Sequence, residues 1–111
     1  MASVPVEHLP ISKQKDVREQ FERLAAIWEQ AVAHHSSESI RTRHPAYQEI
    51  IGLGHSVIPF LLRDMECHRR HWFVALVALT GVNPVATQDA GKVDKMIESW
   101  LQWGRENGYQ W

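Results

Sequence analysis

HPAYQEIIGLGHSVIPFLLRDMECHRRHWFVALVALTG, residues 44–81, is the part of the chain that decides the fold. It is dense in aliphatic and aromatic residues, and Gly52, Gly54 and Pro59 interrupt it. It also holds four histidines and the only cysteine of the chain, Cys67. The stretch is therefore either a helical scaffold or a site where His and Cys carry out chemistry. Its pattern favours the scaffold.

The run HWFVALVALT, residues 71–80, has no polar face along most of its length and is closed by Gly81. An all-round apolar helix is typical of a central element buried on every side. A β-strand over residues 72–79 is the alternative, because short apolar runs fit either structure. The flanking segments are helical and no second strand is available for pairing. We therefore predict a central helix that the other helices cover.

Two shorter helices precede this run. Pro45 suits the first position of a helix over residues 45–52, after a helical turn through residues 40–43. Gly52 and Gly54 then offer left-handed positions for its C-terminal cap. Ser56 is placed to cap a further helix that ends near residue 67, where Pro59 is tolerated within the first turn. These features predict a helical segment on each side of the glycine break.

Longer amphipathic helices are predicted at both ends of the chain. From about residue 13 to residue 34, and again from about 91 to 107, apolar residues recur at steps of three and four. The first stripe contains Val17, Phe21, Leu24, Trp28, Ala31 and Val32, and the second contains Val93, Met96, Ile97, Trp100 and Leu101. Both stripes are predicted to face the core.

The predicted fold is all-α: a compact bundle of about five short antiparallel helices packed around the central apolar helix. Residues 1–12 contain Pro5 and Pro10 and show no sustained period, so they are predicted to form an extended N-terminal arm. Residues 13–111 are predicted to form a single helical domain, a length sufficient for a core without disulfides or a structural metal.

Composition narrows the function classes. With 44% hydrophobic and 23% charged residues the chain has ordinary globular composition, and its net charge of -1 supplies no long-range attraction to nucleic acid or anionic membranes. No apolar stretch approaches the roughly 20 residues that span a bilayer. The N-terminal residues lack a secretory-signal pattern, and a single cysteine suits a reducing compartment. We therefore expect a cytoplasmic protein without a membrane-spanning segment.

The cluster at residues 67–71 is the obvious candidate for chemistry. Cys67 and His71 have the spacing that places two ligands on one helix face, with His68 beside them. A zinc site needs two more ligands, for which His44 and His55 are the candidates, and no Cys-x-x-Cys pair exists. No nucleophile elbow or phosphate-binding glycine loop is found either. We predict no catalytic residues, no metal ligands and no cofactor, so the protein is not expected to be an enzyme.

A basic patch in the middle third supports an alternative function. It consists of Arg41, Arg43, Arg63, Arg69 and Arg70. Arginines at a turn can hold phosphates, which would suit a small nucleic-acid-binding or regulatory protein. Glu49, Asp64 and Glu66 dilute this positive charge, and no recognition helix is evident. A mixed-charge surface is the simpler interpretation.

Aromatic residues are the remaining anomaly, since the chain has five tryptophans. Trp103, Tyr109 and Trp111 lie near the C-terminus, and Tyr47 lies in the first short helix. In one interpretation the C-terminal tail folds back and covers the core. In the other, these four residues form a partner-binding surface, because aromatic side chains are enriched at binding hot spots.

Three stretches together resemble a family of small bacterial proteins of uncharacterised function: HPAYQEIIGLG at 44–54, HWFVALVALTGVNPV at 71–85, and WLQWGRENGYQW at 100–111. The family pattern is HPAYQ-x-II-x-hG, HWF-x-AL-x-xhTG-x-xPV and WL-x-WG-x-x-x-GY. The resemblance covers about residues 20–111. Members are often encoded next to a second small gene, which implies a pair of proteins.

Residues 56–65 followed by 68–81 are also similar to a HEAT-type helix pair, with a proline early in one helix and an apolar helix ending in glycine. Only about one and a half such units fit, so no solenoid is implied. HEAT-like packing implies a protein-binding surface. We therefore predict a non-enzymatic, protein-binding helical module, such as one member of a toxin-neutraliser-like gene pair, whose partner is a companion protein or a second identical chain.

Overall fold

The computed structural model describes the backbone of residues 11–111 and the side chains of residues 13–111. Within this range six α-helices follow one another: α1 (Ile11–Val32), α2 (Glu38–Arg43), α3 (Pro45–Gly52), α4 (Ile58–His68), α5 (Phe73–Thr80) and α6 (Val93–Glu106). Single 3-10 turns lie at His55–Val57 and Thr87–Asp89, and residues 11–111 contain no strand. The all-helical fold predicted from the sequence is confirmed.

The predicted N-terminal arm, residues 1–12, falls mostly outside the described residues. Its last two positions belong to α1, which starts at Ile11 rather than near Lys13. The helical turn predicted through residues 40–43 is a complete helix, α2, which raises the number of helices in the described chain to six. The described chain divides into two units, one ending at Val57 and the other comprising Ile58–Trp111. The single domain over residues 13–111 stays a prediction.

The first unit is built on the apolar stripe of α1. Phe21, Leu24 and Trp28 are buried there at steps of three and four, as the helical period requires. α1 packs against α3, which begins with Pro45 and buries Tyr47. The rings of Trp28 and Tyr47 lie 5.2 Å apart, centroid to centroid. The core of this unit is therefore an aromatic contact between the longest helix and one of the shortest.

α2 contributes to the same core through its backbone. The indole N–H of Trp28 donates a hydrogen bond of 2.7 Å to the carbonyl oxygen of Arg41. The guanidinium of Arg41 lies over the Trp28 ring at 5.3 Å from its centroid. His44 lies just before α3 and caps it, since its Nδ1 accepts a hydrogen bond of 3.0 Å from the backbone N–H of Ala46. This side-chain bond satisfies an N–H that the first turn of a helix leaves without a helical partner.

The second unit contains α4, α5, α6 and the C-terminal tail. α4 packs against α6 and α5, and its buried face includes Leu61, Leu62 and Met65, each fully buried. α6 presents Ile97, Trp100 and Leu101 to the core at the spacing that the sequence predicted. Gly81 ends α5 in the left-handed conformation, with φ 73°. A residue with a side chain is strained at this angle, so glycine suits the position.

α5 is less buried than its sequence suggests. Leu76 and the preceding Trp72 are fully buried, but Val74 is 40% and Val77 is 39% exposed. The prediction of a helix covered on every side is therefore wrong for one side. The physical reason is that an apolar run shows what a helix can bury, whereas the number of neighbouring elements decides what it does bury. The alternative strand assignment for residues 72–79 is also excluded, because residues 73–80 are helical.

No helix within the described residues is both long enough and apolar enough to cross a membrane.

Candidate functional site

A buried carboxylate organises the turn between α4 and α5. Asp64 is only 7% exposed, and both of its carboxylate oxygens accept hydrogen bonds. Nη1 of Arg70 donates to Oδ1 at 2.9 Å, and Nε1 of Trp72 donates to Oδ2 at 2.7 Å. Nδ1 of His68 lies 2.9 Å from Oδ1 as well. A buried charge needs such partners, since leaving it without them costs several kcal/mol.

The role of Asp64 is not predicted from the sequence, where the residue is interpreted as part of a mixed-charge surface. The signal that could have revealed it is position: Asp64 follows Leu61 by three residues and therefore shares the buried face of α4. His68, four residues further on, is also in reach along the helix. An isolated Asp on an apolar stripe, followed by His, Arg and Trp within eight residues, is a recognisable pattern.

The same turn fixes Arg69. This residue has φ 56°, a left-handed conformation that is uncommon for a residue with a side chain. Its guanidinium pairs with the carboxylate of Asp94 at the beginning of α6. The turn Arg69–Trp72 is thus held by Asp64 from α4 and by Asp94 from α6. We conclude that the polar groups of this turn serve to connect three helices.

This arrangement bears on the predicted basic patch. Two of its arginines, Arg69 and Arg70, are ion-paired with carboxylates. Arg63 is exposed on α4, while Arg41 and Arg43 belong to α2 in the first unit. A carboxylate beside a guanidinium offsets part of its positive charge and occupies some of its donors. The two arginines at the turn are therefore less suited to phosphate than the sequence suggested.

The Cys and His residues considered as ligands have other surroundings. Cys67 is exposed in the last turn of α4, and His68 contacts Asp64. His71 lies against the ring of Phe73 with centroids 5.5 Å apart, and His44 caps α3. Among the described side chains, no group of three or more His, Cys, Asp or Glu is arranged to hold a metal ion.

The four aromatic residues predicted to bind a partner fall in different environments. Tyr47 is fully buried against Trp28, so the structure does not place it on a surface. The reason is its position on α3, where it shares the buried face with Ala46 and Ile50. Trp103, Tyr109 and Trp111 are all half-buried at the C-terminal end of α6. The four residues therefore do not form one site.

Trp103 and Tyr109 form a stacked pair. Their ring centroids lie 5.5 Å apart with the planes inclined by 27°. Trp103 also meets the buried Trp100 edge to face, with centroids 5.4 Å apart and an interplanar angle of 74°. The backbone N–H of Tyr109 donates to the carbonyl of Gly104, so the tail turns back along α6 after Gly108. Trp103 and Tyr109 are consequently held in place while remaining partly exposed.

Trp111 lies against α6 at Gly104. A Cβ atom at Gly104 would come within 2.9 Å of the Trp111 ring and 2.7 Å of Leu62, so a side chain at this position requires one or both of them to shift. The Trp111 indole N–H donates to Glu66 at 3.1 Å, and the guanidinium of Arg105 lies over the ring at 5.7 Å from its centroid. The tail thus folds back on α6, as the first interpretation predicts, but the three rings remain partly exposed, so folding back does not exclude a binding role. We call Trp103, Tyr109, Trp111 and Arg105 the aromatic end.

A second exposed surface lies on α5. Val74 and Val77 are three residues apart, so they share one side of the helix, and Ala78 is exposed beside them. Val82, just beyond the helix, is 43% exposed. We call Val74, Val77 and Ala78 the valine face. Sequence reasoning missed it because every side of α5 is equally apolar.

No family model, curated protein or solved structure matches the chain. The resemblance to the bacterial family and to a HEAT-type helix pair therefore stays a prediction from sequence.

Proposed function

We propose that the protein is a non-enzymatic helical module that binds a companion protein through the aromatic end of α6. The observation that carries this proposal is the stacked pair Trp103–Tyr109, which is held by α6 and its tail yet remains partly exposed. The companion is the product of the neighbouring small gene that the sequence resemblance implies.

Residue type and rigidity both support this choice of surface. Tryptophan, tyrosine and arginine are the residues most enriched at the centres of protein interfaces, and the aromatic end contains all three. Binding costs free energy when loose side chains must be ordered. Trp103 contacts the rings of Trp100 and Tyr109, and Trp111 donates to Glu66 and lies close to Gly104. Little further ordering is needed when a partner covers these rings.

The alternative function, binding of nucleic acid by the arginines at 41–70, has less support. Arg69 and Arg70 are engaged with Asp94 and Asp64, and the net charge of the chain is -1. Nucleic-acid binding depends on phosphate contacts made by available cations. A protein partner can be bound without an excess of positive charge on this chain.

The experiment is calorimetric titration of the purified protein with the neighbouring gene product. We expect Trp103→Ala to weaken binding at least about tenfold, the size of effect that loss of a central aromatic residue produces. The matched control is Lys95→Ala, an exposed residue about two turns earlier on α6, which should leave affinity within about twofold. Circular dichroism checks that both variants retain the wild-type helical content.

Two outcomes would overturn the proposal. One is that the wild-type protein gives no heat of binding in the titration and does not co-purify with the neighbouring gene product. The other is a complex that Trp103→Ala and Trp111→Ala leave unaffected. Binding to duplex DNA or single-stranded RNA that weakens steeply with added salt would instead support the alternative, because each phosphate contact releases a counterion.

A further inference from the structure

The C-terminal tail joins α6 at Asn107 and Gly108, the one place in the sequence where asparagine is followed by glycine. Both residues are exposed, and Gly108 has φ 80°, a left-handed angle that suits glycine. The chain has one other asparagine, Asn83, which is followed by Pro84. The two asparagines therefore differ in the backbone nitrogen that follows each of them.

We propose that Asn107 is a self-modification site, where deamidation converts the asparagine to aspartate or isoaspartate and releases the tail from α6. The backbone nitrogen of Gly108 attacks Cγ of Asn107 and closes a five-membered succinimide ring. The side-chain amide nitrogen takes up the proton that the Gly108 nitrogen loses, and leaves as ammonia. Water then adds to one of the two ring carbonyl carbons. Opening of the ring at Cγ gives aspartate, and opening at the backbone carbonyl gives isoaspartate.

The residues that follow the two asparagines decide which of them can react. Asparagine is among the thermolabile residues of proteins, and Gly108 has no Cβ atom to obstruct the attack of its nitrogen on Asn107. Asn83 cannot close the ring by the same route, because the nitrogen of Pro84 carries no proton. The chain thus contains a reactive asparagine together with an internal control.

Hydrogen bonds at the end of α6 hold Asn107 back from this reaction. Nδ2 of Asn107 donates to the carbonyl oxygen of Trp103 at 2.8 Å, and the backbone N–H of Gly108 donates to that of Arg105 at 3.2 Å. Both bonds must open before the Gly108 nitrogen can reach Cγ of Asn107. Helix ends open more readily than helix interiors, so the reaction starts from the opened end of α6.

The docked tail restrains that opening. The backbone N–H of Tyr109 donates to the carbonyl oxygen of Gly104 at 2.9 Å. Trp111 lies close to the same glycine and donates from its indole to Glu66 at 3.1 Å. Opening of the helix end and release of the tail are therefore coupled, and a change that loosens the tail exposes Asn107 to reaction.

Either product weakens the contacts that protected Asn107. A carboxylate at this position cannot donate to the carbonyl of Trp103, and its negative charge lies at the C-terminal end of α6, where the helix dipole disfavours it. Isoaspartate also brings the Cβ methylene into the backbone, which shifts Tyr109 from its stacked position on Trp103. The modification therefore alters the aromatic end irreversibly. Its effect on binding, unlike the reaction itself, rests on the proposed function.

Peptide mapping of the purified full chain tests the reaction. After incubation in mildly alkaline buffer, trypsin releases a peptide that begins at Glu106 and contains Asn107, and a second peptide, residues 71–92, that contains Asn83. Compared with an unincubated sample, the first peptide should show the mass change from amide to acid and should be labelled by an isoaspartyl methyltransferase. The second peptide should stay unchanged. Asn107→Gln should also stay unlabelled, because a glutamine must close a larger ring.

The coupling to the tail is tested by the rate of conversion. Trp111→Ala should speed conversion of Asn107 at least about threefold, because the open end of α6 becomes more populated. The matched control is Lys95→Ala, an exposed residue nearer the start of α6, which should leave the rate within about twofold of wild type. Acrylamide should quench the tryptophan fluorescence of the converted protein, isolated by ion exchange, more strongly than that of fresh protein.

The proposal is overturned if the Asn107 peptide keeps its mass, if Asn83 is converted equally fast, or if Trp111→Ala leaves the rate unchanged. Equal quenching of converted and fresh protein would overturn the release of the tail. None of these measurements uses the companion protein. Failure of the calorimetric titration would therefore count against the proposed function and not against the modification of Asn107.

Discussion

Each unit of the chain buries a tryptophan whose indole N–H must find an acceptor, and the two acceptors differ in kind. In the first unit Trp28 donates to the backbone carbonyl of Arg41 at 2.7 Å. In the second unit Trp72 donates to the side-chain carboxylate of Asp64, also at 2.7 Å. Both indoles are almost completely buried. The lengths of the two bonds are the same, so the difference lies in what each acceptor requires from its surroundings.

A backbone carbonyl is neutral and exists at every residue, so Trp28 needs only that α2 is correctly placed. The carboxylate of Asp64 brings a charge into the core, where the guanidinium of Arg70 compensates it and Nδ1 of His68 lies within hydrogen-bond distance. The second unit therefore depends on several side chains at one point, whereas the first depends on backbone geometry. This comparison teaches that one substitution, at Asp64, can remove the acceptor in the second unit, whereas no side-chain substitution removes the backbone carbonyl that accepts in the first.

A third buried tryptophan has neither kind of acceptor. Among the described residues, Nε1 of Trp100 is buried without a hydrogen-bond partner. Trp100 instead meets Trp103 edge to face. It therefore serves as an internal reference, because its ring is buried like the other two but its N–H makes no hydrogen bond that a substitution could remove.

The largest effect is expected from Trp72→Ala. The substitution empties a fully buried site and removes one of the donors to Asp64, so unfolding should become easier by about 3–5 kcal/mol. Chemical denaturation followed by circular dichroism measures this change. A denaturation midpoint equal to that of wild type would mean that Trp72 is not part of the core. The comparison of Trp72 with Trp28 would then no longer hold.

Asp64→Ala should have the next largest effect, about 2–4 kcal/mol. Without the carboxylate the buried Trp72 N–H loses this acceptor, and the partly buried guanidinium of Arg70 loses this counter-charge. The matched control is Asp94→Ala, which removes an exposed carboxylate paired with Arg69 and should cost less than about 1 kcal/mol. Equal losses of stability in the two variants, measured by denaturant titration, would contradict the special position of Asp64.

Gly104→Ala tests the packing of the tail in the second unit. The added methyl group would lie 2.7 Å from Leu62 and 2.9 Å from Trp111, so we expect a loss of about 1–3 kcal/mol from overpacking. In a Trp111→Ala background the same substitution should cost less, because one of the two obstructing side chains is gone. A double-mutant cycle on denaturation midpoints measures this coupling. Additive effects would show that Trp111 does not pack on Gly104 in solution.

The smallest effect concerns the hydrogen bonds themselves. Trp28→Phe and Trp100→Phe both shrink a buried ring, but only Trp28→Phe removes a hydrogen bond. Trp28→Phe should therefore be the more destabilising by about 1 kcal/mol, the net contribution of one such bond. Parallel denaturation of the two variants gives the difference. A reversed order would indicate that ring volume, and not the N–H, separates the two sites.

Much of the local structure was predictable from the sequence. The stripes of α1, α4 and α6 follow the helical period, and the breaks at Gly54 and Gly81 are left-handed in the structure. Pro45 begins α3 as its fixed geometry predicts. These features depend on residues close together in the chain, and a single sequence contains that information.

The site could be predicted only in part. The sequence marked the C-terminal aromatic residues as unusual, but grouped them with Tyr47, which is buried. It counted Asp64 and two arginines of the turn as surface charges, although they pair with one another or with Asp94. Arg69 and Asp94 are far apart in the chain. No local pattern states which distant residue will be brought opposite another.

The sequence by itself determined that the described chain is helical, where most of its helices begin and end, and which of their faces are apolar. Only the tertiary structure decided which apolar faces are covered. Val74 and Leu76 are equally apolar neighbours on α5, yet one is exposed and the other is buried. The physical reason is that burial depends on the neighbours a helix receives from distant parts of the chain, whereas helix formation depends on residues within a few turns.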